Sequence, residues 1–380
     1  MRQRVVAAVV LAASALAASA LTACTSKSEA QPTISWEKVD VGAEPVALAE
    51  HDGQILVGVK HKGAKVVPGV VLLNGSERKT LTVKPSASSP YSFEAIWYSI
   101  AWDGKRVLGL GGASGGAHGN VRWTVWTGSV DAGLQEHPQT FDTFNGLSAG
   151  QMNSAVLTPA GEALTGSWEG VVTGLDAAVW LPQANNKWLK QGSAKTPLQN
   201  TKNLLVGTGY ATAYGDGLVL TGSQVRLEPN VVQQGAAIWR SAKLAQGWTR
   251  VELPDPGSRS QANTATCADT CVISGFVENK LAIWRYDGAK AQRLTGVPEI
   301  PVGDKDVLPP PLSDGSPGGD VTQVIAQDNK VKVVNGHEGS WTVSESTGGL
   351  QGPVTALVRT KDQEAYLIAG GALWKANLPS

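Results

Sequence analysis

The chain has 380 residues, 42% of them hydrophobic, and balances 32 Lys and Arg against 32 Asp and Glu. That supply of apolar side chains is enough for a folded core, and a chain without net positive charge lacks the basic surface that nucleic acid demands. Glycine (44 residues) and tryptophan (13) are plentiful beside only 4 phenylalanines, and both recur at regular places along the chain.

The first element is "MRQRVVAAVVLAASALAASALTAC": Arg2 and Arg4, a run of small apolar residues too short to span a bilayer, then Leu21, Thr22, Ala23 and Cys24. This is the pattern of a secretory signal. The Leu-Thr-Ala-Cys end resembles the lipobox of bacterial lipoproteins. The resemblance implies cleavage before Cys24 and acylation of that cysteine by a diacylglycerol with palmitate-type chains. Several acyl chains make a lasting anchor, because each buried methylene adds about 0.8 kcal/mol. The expected organisation is therefore a signal peptide over 1–23, a lipidated tether over 24–33 and a folded domain over 34–380, exported and held on the extracytoplasmic side of the cell membrane. Loss of Arg2 and Arg4 leaves 30 basic against 32 acidic residues.

From Val46 onward one pattern repeats. An apolar run, a tight-turn signal such as Asp-Gly, and a second apolar run ending in glycine recur with the glycine at Gly58, Gly111, Gly166, Gly222, Gly275, Gly336 and Gly370. Each turn of this kind between apolar runs predicts a β-hairpin, since it supplies the positive φ that a two-residue loop requires. A third strand follows, and in most copies it contains a tryptophan: Trp126, Trp180, Trp239, Trp284, Trp341 and Trp374, with Leu72 in the first copy. A fourth strand follows in several copies, most clearly "GWTRVELP" from Gly247. Seven such modules predict an all-β fold, a seven-bladed β-propeller of four-stranded antiparallel blades. The tryptophans read as wedges between blades.

"GLGGASGGAHGN", residues 109–120, has the look of a phosphate-binding loop, but Ser114 breaks the G-x-G-x-x-G spacing and a strand-like run follows where a helix is needed. It reads as a connection between two strands. "SVDAGLQ", Ser129 to Gln135, is similar to the Asp-box of sialidase-like propellers, without the closing aromatic; Trp102-Asp103 is the one Trp-Asp pair and lies in a turn, unlike a WD repeat. No catalytic set accompanies either resemblance. Cys267 and Cys271 flank the fifth hairpin turn and are expected to pair as a disulfide in an exported protein. The last module stops at Ser380 without a fourth strand, and "SWEKVDVG", which matches "GWTRVELP" position by position, is expected to supply it from the amino-terminal side. Closure of this kind removes an open sheet edge.

In this plan the turns between strands one and two and between three and four share one face. The turns between strands two and three and the blade-to-blade connections share the other. The second set is longer, with tall walls expected on blades one to four, and long loops on a rigid scaffold are where binding usually sits. Candidate residues on that face are His61, Glu94, Trp97, Tyr98, His118, Trp168, Glu169, Tyr210, His337 and Glu338. The acidic run Asp304, Asp306, Asp314 and Asp320 has no calcium-loop spacing and reads as a linker. The expectation is a monomeric, non-catalytic binding or scaffold module for a protein or cell-wall glycan, with no cofactor, metal or nucleic acid; the alternative is a sialidase-like hydrolase or lyase acting on extracellular glycans.

Overall fold

A computed structural model describes residues 32–63, 67–89, 91–115 and 120–378; the signal peptide, Cys24 and most of the tether lie outside them. Seven antiparallel sheets follow one another along the chain as the repeat predicts. Their first strands are Glu44–His51, Ile96–Trp102, Ala149–Thr158, Leu204–Tyr214, Ser260–Cys267, Val321–Gln327 and Val354–Arg359; all but Val321–Gln327 contribute to the wall of a central channel, where Pro310, Leu312, Ser313 and Asp314 stand in for it. Among the described residues no helix is long and apolar enough to cross a membrane.

A twisted four-stranded blade leaves both its faces apolar, and only a neighbour can cover them. The core is accordingly divided into seven clusters, one at each blade-to-blade interface. Trp126, Trp180, Trp239 and Trp284 are each fully buried in one of them. A buried indole needs a partner for its N–H. Three of them solve this identically, donating to a carbonyl in the connection that enters their own blade: Trp180 to Thr143 (2.9 Å), Trp239 to Pro197 (3.0 Å) and Trp284 to Pro254 (3.1 Å); the half-buried Trp341 does the same to Thr295 (2.9 Å), whereas Trp126 donates to Thr124 Oγ1 (2.9 Å). The wedge thus fixes the connection above it as well as the blade beside it.

The repeat glycine has a steric cause. In six of the seven blades the first strand carries a β-bulge close to this glycine. A bulge bends its strand and turns a side chain to a new direction. At blades four and five the bulge brings a backbone carbonyl so close that a Cβ at Gly222 would lie 1.9 Å from the Gly207 oxygen, and one at Gly275 would lie 1.9 Å from the Gln261 oxygen. Only a residue without a Cβ fits there.

Closure is as expected, with an addition. Glu37–Val39 pairs antiparallel with Ala372–Asn377 and completes blade seven. Ahead of it, Thr33–Ser35 pairs parallel with Ser340–Thr347 and supplies the outer strand that blade six lacks. Trp36 crosses between the two blades, 3% exposed, its indole donating to Ser346 Oγ at 3.0 Å. The amino-terminal segment is therefore a double latch. Blade two gains a fifth, parallel strand, Val83–Lys84, from the tail of blade one.

The long connection from blade five to blade six is more than a linker. Pro309 carbonyl accepts from Thr264 Oγ1 and Gln323 Nε2, both at 3.1 Å, so it bridges the innermost strands of the two blades. Leu312 exchanges both backbone hydrogen bonds with Thr322 (2.8 and 2.9 Å). The Cys267–Cys271 disulfide is formed. Within its short loop, Thr270 donates through its amide and its hydroxyl to the Gly315 carbonyl, at 3.0 and 2.9 Å. The disulfide turn thus holds the connection against the channel wall.

Candidate functional site

The two ends of the ring differ in build. Six of the seven turns between strands one and two carry an aspartate: Asp52, Asp103, Asp216, Asp269, Asp328 and Asp362. Several serve the turn itself. Asp103 Oδ1 accepts from the Lys105 and Arg106 amides at 3.1 and 2.7 Å; although its partial burial opposes ionisation, these bonds and the Arg106 guanidinium hold its carboxyl below the usual range. This end, the hairpin face, also holds the Asp-box-like turn, where Ser129 Oγ accepts from the Ala132 amide at 3.1 Å.

The opposite end, the connector face, is taller on blades three and four, partly because its hairpins extend. In blade four Gly217–Glu228 and Val231–Arg240 run as one long hairpin over a two-residue turn, where a loop wall is expected. The glycine-rich stretch behaves likewise: Val107–Ser114 is a strand. His118 lies outside the described residues.

Individual candidates are scattered around this face. His61 ends the second strand of blade one beside a depression of about 680 Å³ between blades seven and one. The lysines flanking it there are already engaged: Glu44 pairs with Lys60 at 2.6 Å and with Lys62, and these contacts outweigh a desolvation that opposes them, lowering the Glu44 carboxyl. Glu94 sits exposed on the turn before blade two. Glu169 binds Ser148 twice, its amide to the carbonyl at 2.8 Å and its carboxylate to the hydroxyl at 2.5 Å. Trp168 packs edge-on against Trp180 with Lys190 5.9 Å above its ring. Glu338 receives the amide of Thr295 at 3.2 Å and its hydroxyl at 2.5 Å, and His337 Nδ1 lies 2.8 Å from Asp320. Both acids thus tie connections down.

Trp97, expected on this face, is instead a core residue at 3% exposure. Its indole donates to the Gly69 carbonyl at 2.8 Å and its ring meets Trp126 edge-on at 5.3 Å. The bulge explains the difference: Trp97 pairs with Gly111 and Ser99 with Leu110, so the extra residue, Tyr98, takes the outward direction. Tyr98 and Tyr210 are the two candidates the fold brings together, both lining the central channel of about 690 Å³. Burial pushes the Tyr210 phenol up to about 12. The channel also displays Asp314 and Arg359; burial lowers the Arg359 guanidinium while the Asp314 charge works the other way. Among the described residues no three His, Cys, Asp or Glu side chains gather as metal ligands would.

What candidate selection by chemical type missed is an apolar surface. Of the twelve large hydrophobic side chains exposed among the described residues, ten lie on the connector face or at its strand ends, Tyr98 lines the channel, Leu189 lies on an outer strand, and none lies on the hairpin face. Leu147 is fully exposed, Val171 is 78% and Val232 74% exposed, with Phe93, Phe141 and Val172 near half. Most belong to blades two to four and their connections. Scattered exposed apolar residues are ordinary, but their confinement to one end of a molecule is not.

No protein-family model matches the chain, and no curated protein does. Solved structures do. The β-propeller domain of Cps50 (Swd1) from Myceliophteria thermophila aligns over 90% of this chain and 98% of its own, with a TM-score of 0.55 at 9% identity. An ulvan lyase of polysaccharide lyase family PL25 aligns over 90% and 98%, with 0.52 at 9%, and a streptogramin B lyase over 90% and 97%, with 0.50 at 12%. At such identities the likeness shows the β-propeller fold alone.

Proposed function

We propose that this protein is a lipid-anchored, extracytoplasmic propeller that acts as a monomer by binding, through its connector face, an apolar partner, and that it is not an enzyme. The observation that carries this reading is the confinement of exposed large hydrophobic side chains to that face. They are mainly aliphatic, which suits a hydrophobic surface better than a sugar chain, whose recognition needs aromatic platforms and polar groups. Export and anchoring rest on the lipobox at Leu21 to Cys24. One feature argues against the glycan hydrolase or lyase: Glu169 and Glu338, the carboxylates singled out for such chemistry, are both committed to holding loops.

The test is site-specific photo-crosslinking on intact cells, with a diazirine residue at Val172 on the connector face or at Asp216 on the hairpin face. The reading expects adducts from position 172 and few from 216. Adducts confined to 216 would refute it, and turnover of an extracellular glycan abolished by Glu169→Gln would transfer the case to the enzyme.

A further inference from the structure

We infer that the central channel is a binding site for a free α-amino acid with an apolar side chain: Arg359 takes its carboxylate, Asp314 takes its ammonium group, and the side chain lies along the channel toward Tyr210. This site is separate from the connector face and does not depend on what that face binds.

Small-molecule sites are mostly apolar cavities in which a few polar groups fix the ligand, with volumes of about 300–1,000 Å³. The channel, at about 690 Å³, is of this kind, and alanines such as Ala47, Ala155, Ala211 and Ala356 keep it open where larger side chains would fill it. Its charged side chains are Glu50, Asp103, Asp314, Arg359 and Lys361. Three of them already have work to do. Glu50 accepts from the Gly53 amide at 2.8 Å, Asp103 pairs with Arg106 at 2.7 Å, and Lys361 pairs with Asp52. Asp314 is engaged through one oxygen only: Oδ1 takes the amide and the hydroxyl of Ser316 at 2.9 and 2.7 Å, while Oδ2 has no partner among the described residues. The half-buried Arg359 side chain donates to nothing among them. A guanidinium withdrawn from water without an acceptor is costly, and a ligand that supplies one recovers that cost.

Burial lowers the Arg359 guanidinium and the Asp314 charge works against it, so the two groups feel each other, yet they form no ion pair. Asp314 cannot simply swing across, because Thr270 in the disulfide turn holds the next residue, Gly315, through two hydrogen bonds. A cation and an anion that face one cavity without joining complement a ligand that carries both charges. Net charge points the same way. Three carboxylates against two cations on the wall give a simple anion no net attraction, and a simple cation would meet Arg359. Only a zwitterion satisfies both groups.

Tyr210 marks the inner end of the site. It lies deep enough for burial to oppose its ionisation, yet it stays partly accessible because the channel reaches it, and its hydroxyl has no partner among the described residues. Register gives the spacing. Tyr210 forms the first pair beyond the bulge of its blade, and Ala356 holds that place in blade seven, three residues before Arg359. Three strand residues span about 10 Å. An amino acid held by its backbone groups at Arg359 and Asp314 therefore directs a side chain of leucine or phenylalanine size along the alanine-lined wall toward the phenol.

The experiment is calorimetric titration of the full-length protein in detergent with L-phenylalanine and L-leucine. Each is compared with the acid that lacks its amino group (3-phenylpropanoate, 4-methylpentanoate) and the amine that lacks its carboxylate (2-phenylethylamine, 3-methylbutylamine). At least one amino acid should bind with a Kd of about 1 mM or tighter, and both of its half-charged analogues roughly ten-fold more weakly. Asp314→Asn, which keeps an oxygen for Ser316, should weaken the amino acid and strengthen the matching acid, an inversion that loss of folding cannot produce. Arg359→Gln should weaken both by roughly ten-fold at an unchanged urea midpoint. The inference is overturned if neither amino acid binds at up to about 10 mM, if an acid binds as tightly as its amino acid, or if the Asp314→Asn protein shows no inversion. An unaltered Kd in Arg359→Gln would place the ligand elsewhere and overturn it too.

Discussion

Replacing Gly222 by alanine tests the steric origin of the repeat. An alanine Cβ there would lie 1.9 Å from the Gly207 carbonyl oxygen and 2.9 Å from the Thr208 Cα, both backbone atoms of the bulged first strand. A side chain could swing away; a bulge held by ladder bonds on both sides cannot. Overpacking of this kind costs about 1–3 kcal/mol, and backbone contact places it at the upper end. Gly209, two residues along the same strand, is the control, because a Cβ there meets nothing within 4 Å and its φ is not in the left-handed range. Gly209→Ala should be neutral or stabilise by up to about 1 kcal/mol through the unfolded chain. Urea titration followed by tryptophan fluorescence gives both values. The bulge account fails if Gly222→Ala falls within about 0.5 kcal/mol of the parent protein, the range of ordinary surface changes.

Three further outcomes follow from the packing. Trp36→Ala removes the pivot of the double latch and should cost about 3–5 kcal/mol, read as a lower urea midpoint; an unchanged midpoint would mean the latch contributes nothing. Trp239→Phe keeps most of the ring but strands the Pro197 carbonyl, and should cost about 1–3 kcal/mol, with faster hydrogen exchange in the connection around residue 197 as the sign that the wedge holds it. Tyr210, raised to about 12 by burial, stays neutral in the folded state where the unfolded chain has begun to ionise. Its contribution is intact below pH about 10, the ordinary tyrosine value, and is lost as pH rises from there toward 12. Tyr210→Phe should therefore flatten the alkaline decline in stability, and a decline of equal steepness would show that other groups cause it.

The ring was readable because each blade restates the same constraints. The repeat glycines mark the bulges in every blade but the sixth, and Trp126 to Trp284 mark the interfaces, so errors in one copy are corrected by the next. The strand at Glu37–Val39 was readable through its match to "GWTRVELP", whereas Thr33–Ser35 offers three residues with no counterpart and pairs in parallel with a blade that the repeat does not link to it. Likewise, Pro309 and Leu312 bridge blades through backbone groups, which no residue pattern advertises. The candidate surface was less legible. Histidine, glutamate and tryptophan were chosen for their chemistry, and the fold commits Glu338 to Thr295, Glu169 to Ser148 and Trp97 to the core. The exposed residues are valines and leucines such as Val171, Val232 and Leu147, which a sequence presents as ordinary strand or core residues. Only the topology, by assigning turns to faces, shows that they share one end.

The most direct test of the connector face as the working surface is carbene footprinting of the protein on intact cells, compared with the same protein extracted in detergent and freed of bound material. The account predicts strong protection on cells at Phe141, Leu147, Val171, Val172 and Val232, with the turns at Asp103, Asp216 and Asp328 labelled equally in both samples. Equal labelling of the two faces on cells, or protection confined to the aspartate turns, would contradict it.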